Sequence, residues 1–267
     1  MRRRLIYVCA ALLAMSLSGL LIRNQLSAAE EIDMNTNLTP NQRIVLESYL
    51  TTPSRIESGV LTPHEQRIID LVPQIEAYLA RRYPDHDFAF LRVSGSVLVS
   101  SQQVFTIQET VTGETFKVQA TATDKYYSAW VIEDNYYALL KAPEVEAYIA
   151  ALLEKELGSV KACVRLRGYY GDDYDPALTI PQLLESGLTL SVIGEAYTAA
   201  ALPLSDRENR LEAVLQGRGL IGGLAVITLE RMPEEDPDIK WAVTYADLIR
   251  ERLFISLPNA ALAGEEE

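Results

Sequence analysis

Three arginines, Arg2 to Arg4, stand directly before "LIYVCAALLAMSLSGLLI", Leu5 to Ile22, a run of 18 residues without a charge. No other feature constrains the chain as tightly. A helix rises about 1.5 Å per residue, so this run reaches about 27 Å, near the lower limit for crossing a bilayer. It exceeds the roughly 7–15 residues of a secretory signal core, which favours a retained anchor. "SAAE" nevertheless places Ser27 and Ala29 at the small-residue positions of a cleavage site, so a cleaved signal peptide is the second reading. Under both readings the arginines stay cytoplasmic and the rest of the chain is exported. The expectation is a cell-membrane protein that contacts the membrane through residues 5–22. Its body lies outside in a single-pass arrangement, or is secreted if the leader is cut.

Charge sharpens that expectation. The whole chain carries a formal −13, and residues 1–29 hold four arginines and no acid, which leaves −17 on the remainder. So negative a body repels nucleic acid and anionic headgroups, and nucleic-acid binding is excluded as a role. Only Cys9 and Cys163 occur, so the exported part forms no intrachain disulfide. Cys163, within "VKACVRL", reads as a small buried hydrophobe.

Beyond the leader, "AAEEIDMNTN" reads as a polar linker. Two similar helix starts follow: Thr39–Pro40 with Gln42, and Thr62–Pro63 with Glu65, each a threonine cap, an early proline and a polar third residue. Ile68, Val72, Ile75 and Leu79 recur at helical spacing with Ile69 and Tyr78 beside them, and Pro73 should kink that helix. Period-two stretches then predict three or four antiparallel strands, with a hairpin turn at Gly113. "APEVEAYIAALLEKELG" predicts a helix ending at Gly158.

The second half alternates. Strands are expected at "SVKACVRLRG", "LTLSVIGEAYT" and "GLIGGLAVITLERM", and helices at "TIPQLLESG", "SDRENRLEAVLQG" and "DPDIKWAVTYADLIRERLF". Ser205 and Glu208 form the capping box of the second of these helices. The fold class is therefore α+β: an N-terminal membrane helix, a helix–antiparallel sheet–helix unit, then an alternating strand/helix α/β unit. The divisions are residues 1–29 (anchor or signal), 30–59 (linker and short helix), 60–158 (α+β), 159–258 (α/β) and 259–267 (acidic tail).

Candidate chemistry concentrates in "GYYGDDYDP", Gly168 to Pro176. Asp172, Asp173 and Asp175 are the metal candidates, and Tyr169, Tyr170 and Tyr174 the ligand candidates, since tyrosines beside carboxylates suit sugar rings. A calcium loop fails on spacing, because Ala177 and Leu178 fall at the fifth and sixth positions counted from Asp173. Two glycines, a proline and three aspartates between a strand and a helix are ordinary turn chemistry, and the turn is the favoured reading.

Other motifs fall away. "GRGLIG", Gly217 to Gly222, spells a dinucleotide fingerprint but follows a helix and precedes a strand, the wrong order for holding a pyrophosphate. "HEQRI" has Ile68 where a zinc-protease helix needs its second histidine. With His64 and His86 the only histidines, a histidine relay lacks material, and His86 between Asp85 and Asp87 reads as part of a polar connector. Glu133 or Asp134 in "VIEDNYY" paired with a distant acid is a catalytic alternative, but among 37 acids no pair stands out, and Asp134–Asn135 reads as a turn. The tyrosine pairs 126–127, 136–137 and 169–170 read as core plus rim.

No catalytic residue and no cofactor is assigned. The leading expectation is a non-catalytic binding or accessory protein of the cell envelope, with a protein or envelope partner. The alternatives are a carboxylate-based envelope hydrolase and a calcium-stabilised structural module.

Overall fold

Capping chemistry sets the first helices. The computed structural model describes residues 32–33, 38–49, 56, 60–94, 101–199, 203–232 and 248–257. Helix α1 (Pro40–Tyr49) starts where Thr39 Oγ1 accepts from the Gln42 amide and Gln42 Oε1 accepts from the Thr39 amide. Helix α2 (Pro63–Arg82) starts with the same reciprocal pair between Thr62 and Glu65. It runs unbroken through Pro73, whose missing N–H would orphan the Ile69 carbonyl. The Gln42 side chain of α1 donates to that carbonyl at 3.1 Å. One glutamine thus caps its own helix and repairs its neighbour.

The face of α2 built from Ile68, Val72, Ile75 and Leu79 is buried, as its spacing predicts. It packs on an antiparallel four-stranded sheet of order β3-β4-β5-β6 (Phe88–Ser94, Gln102–Glu109, Thr115–Ala122, Trp130–Asp134). Phe90, Phe105, Ile107, Phe116 and Val118 supply the sheet's side of this first apolar cluster. Two short strands, β1 (Ile32–Asp33) and β2 (Val60–Leu61), pair antiparallel.

Helix α3 (Tyr136–Leu157) begins six residues before the expected Ala142 and takes Pro143 into its interior. The carbonyl losing its partner there is that of Leu139, an exposed residue, where water can satisfy it. Val145, Ile149, Leu152 and Leu153 turn towards a second sheet of order β10-β9-β8-β7. Its strands are β7 (Val160–Leu166), β8 (Leu190–Thr198), β9 (Leu220–Leu229) and β10 (Ile249–Leu257). This sheet is mixed. Only β8 and β9 run parallel, joined by a crossover through a short 3-10 turn (Ser205–Arg207) and α5 (Glu208–Leu215). Helix α4 (Ile180–Glu185) contributes Ile180 and Leu183 to the same cluster. The class is α+β, with one antiparallel sheet, one mixed sheet and packed helices. The chain crosses from the first apolar cluster to the second at Asp134–Tyr137, whereas Gly158–Ser159 lies inside the second.

Two local expectations are corrected. Ile249–Leu257 is a strand, not the end of a helix. Leu253, Ile255 and Leu257 alternate with polar or exposed residues, and pairing along β9 overrides the helical spacing. The Ser205–Glu208 capping box does not form, because Glu251 of β10 accepts from the Leu204 and Ser205 amides at 2.6 and 3.1 Å. Among the described residues no helix is long and apolar enough to cross a membrane. The expected membrane segment and acidic tail lie outside the described residues.

The parallel pair requires glycine. Gly222 faces Val192, has φ +114°, and a Cβ there would stand 2.2 Å from the Val192 carbonyl oxygen. Gly158 has φ +76° but open space around it. Gly222→Ala should lower stability by about 2 kcal/mol or more, and Gly158→Ala by about 1 kcal/mol. Urea midpoints read the difference, and equal midpoints for the two variants would contradict the close approach.

Candidate functional site

The loop that concentrates the candidate residues is fastened down along its length. Asp172 receives two bonds from Arg81 Nη2, at 2.6 and 2.8 Å, with both side chains exposed. Arg82, next along α2, is almost wholly buried and donates to the carbonyls of Gly171 and Tyr174, at 2.5 and 2.8 Å. Asp175 accepts from the Ala177 amide at 2.8 Å, a local Asx turn. Asp173 is exposed. The three aspartates therefore do not converge on one point. Among the described residues no group of three or more His, Cys, Asp or Glu side chains could hold a metal ion.

The tyrosines divide similarly. Tyr170 and Tyr174 stack edge to face, with centroids 4.8 Å apart, and both rings meet Tyr137 of α3. Their hydroxyls donate to the Arg167 and Thr189 carbonyls, at 2.8 and 2.9 Å. Tyr170 belongs to the second cluster and Tyr174, partly buried, packs against it. Tyr169 is half-buried and its hydroxyl titrates above the ordinary value because of that burial.

Beneath the loop lies a residue whose sequence context reads as a plain turn. Asp134, at the end of β6, has no exposed surface. Its main chain bridges Tyr170, N–H to carbonyl in both directions, at 3.2 and 2.8 Å. Its carboxylate accepts from Tyr78 at 2.7 Å, from Tyr83 at 2.9 Å and from the Tyr137 amide at 2.9 Å. Arg82 Nε stands 3.5 Å away. One residue thus ties the end of α2, the end of β6, the start of α3 and the tyrosine-rich loop. The turn chemistry is present, since the bond to Tyr137 is a turn bond, but the longer reach matters more. Only the "RRY" run at the end of α2 hinted at it, because a buried arginine needs a carboxylate nearby.

The electrostatics follow from burial. Tyr78 and Tyr83 titrate far above the ordinary phenol value, through burial first and then the charge of Asp134. Burial lowers the proton affinity of Arg82, but Tyr83, Tyr78 and Asp134 outweigh it and raise the net value. Each keeps the protonation state that the network needs.

The remaining candidates lie apart from this network. His86 Nδ1 lies 2.8 Å from the Tyr136 hydroxyl. The His64 imidazole is pushed down by burial and then by Arg67. The Cys163 thiol is half-buried and pushed up by burial, then by Glu146, which opposes a reactive thiolate. Asn135 accepts from the Lys117 amide at 2.6 Å. "GRGLIG" runs from just past α5 into the start of β9, helix before strand, with no helix N-terminus for a phosphate. No known protein family, curated protein or solved structure matches this chain.

The tyrosines give a pH test. Tyr136 and Tyr137 are pushed up to about 12 from 10.0, by burial first and then by Glu109 and Glu144 respectively. Raised folded values mean that their contribution to stability is complete below about pH 10 and lost as pH rises towards 12. Phenolate absorbance from the buried tyrosines should therefore appear together with loss of circular dichroism. Complete ionisation near pH 10 with the fold intact would contradict this packing.

Proposed function

We propose that the chain is an exported, membrane-tethered, non-catalytic binding or accessory protein of the cell envelope, recognising its partner through an acidic body. The observation that carries this reading is the arginine-led apolar segment before a remainder of charge −17. The first sends the chain to the membrane, and the second suits a partner carrying positive charge.

The geometry around the tyrosine-rich loop supports the non-catalytic part. A general acid or base needs a carboxyl group within reach of a substrate proton. Asp134 is enclosed by hydroxyls and an amide, Asp172 is held by Arg81, and Asp175 closes a turn. These acids serve the fold.

Fractionation of cells expressing the full chain with a C-terminal epitope tests the proposal. The epitope should sediment with membranes, resist alkaline extraction and be open to protease added from outside. Recovery from the cytosol would contradict export. Loss of an envelope-polymer hydrolysis activity in Asp173→Ala or Asp175→Ala, with the fold retained, would contradict the absence of catalysis.

A further inference from the structure

A cavity of about 180 Å³ opens between α1, the last turns of α2 and the start of β3, away from the tyrosine-rich loop. Six side chains give it its chemistry: Asn41, Glu76, His86, Asp87, Phe88 and Phe90. Asn41 Nδ2 donates to Glu76 Oε1 at 2.7 Å, which leaves the second Glu76 oxygen and the Asn41 carbonyl oxygen as acceptors. His86 is fixed by the Tyr136 hydroxyl and lies nearly parallel to Phe88, with planes 23° apart and centroids 6.3 Å apart. Asp87 is exposed.

Two carboxylates, an amide oxygen and aromatic side chains around one small space select by charge. An anion would meet Glu76 and Asp87 inside a strongly negative field. An apolar guest would strip water from the carboxylates without replacing it. A metal ion lacks its ligand set, since no cluster of three suitable side chains exists among the described residues. An organic cation gains charge-assisted hydrogen bonds from the acids, and its carbon stem can rest on the aromatic lining. The volume equals that of about six waters, enough for a head group and short stem and below the roughly 300 Å³ of a drug-sized pocket.

We propose that this cavity binds the guanidinium or alkylammonium head group of a small molecule or of an arginine or lysine side chain. The inference deepens the proposed function by giving the acidic body a cationic group to recognise. It concerns the folded body alone, so fractionation can fail while the cavity still binds, and the reverse.

Calorimetric titration of the full chain in detergent with N-acetyl-arginine amide tests it, with the uncharged N-acetyl-citrulline amide as control. A saturable single site is expected for the arginine probe, with the citrulline probe weaker by about tenfold or more. Asp87→Asn and Glu76→Gln should each weaken binding by about tenfold. Asp87 is exposed, so its variant keeps the fold, as a thermal melt will show. Asp173→Asn, an exposed acid on the tyrosine-rich loop, should leave binding unchanged.

No saturable heat, equal binding of both probes, or equal loss in Asp173→Asn and Asp87→Asn would each overturn the proposal. Agmatine and N-acetyl-Gly-Arg-Gly amide separate the two sources. Tighter binding of the peptide supports a polypeptide side chain as occupant, and equal or tighter binding of agmatine supports a free small molecule.

Discussion

Asp134 is a carboxylate with none of its surface exposed, and a buried charge left without partners would destabilise the fold by several kcal/mol. The structure surrounds it with two phenol hydroxyls, a helix-starting amide and a guanidinium. Each donor comes with its element attached. Satisfying one side chain therefore fixes where α2 ends, where α3 begins and how the tyrosine-rich loop lies across both.

That arrangement also explains why much of the loop richest in polar and aromatic residues is occupied by contacts within the fold. Arg82 is buried beside Asp134 and donates from Nη1 and Nη2 to the Gly171 and Tyr174 carbonyls. Tyr170 and Tyr174 turn inward against Tyr137. Density of chemically capable residues in sequence is therefore a poor guide here. Elsewhere, Glu76 and Asp87 line a cavity together with Phe88 and Phe90.

Local signals were legible where local physics decides. The Thr39 and Thr62 caps, the buried face of α2, the turn at Gly113 and strands β7 to β9 follow from spacing and capping alone. What depends on distant partners was not legible. Glu251 replaces a local cap at Ser205, and pairing with β9 turns Ile249–Leu257 into a strand. Asp134 reads as a turn residue until Tyr78 and Tyr83 arrive from 56 and 51 residues away. Of the candidate site, the turn character of Asp175 was readable, but the pairing of Asp172 with Arg81 was not.

Hydrogen exchange along a urea series, followed in β4 and β9, is the most direct measurement of whether Asp134 couples the two apolar clusters. Both strands should lose protection together in the native chain. In Asp134→Ala they should separate, with global stability lower by about 3–5 kcal/mol. Separate loss of protection already in the native chain, or an unchanged profile in the variant, would show that the two clusters are joined by something other than this carboxylate.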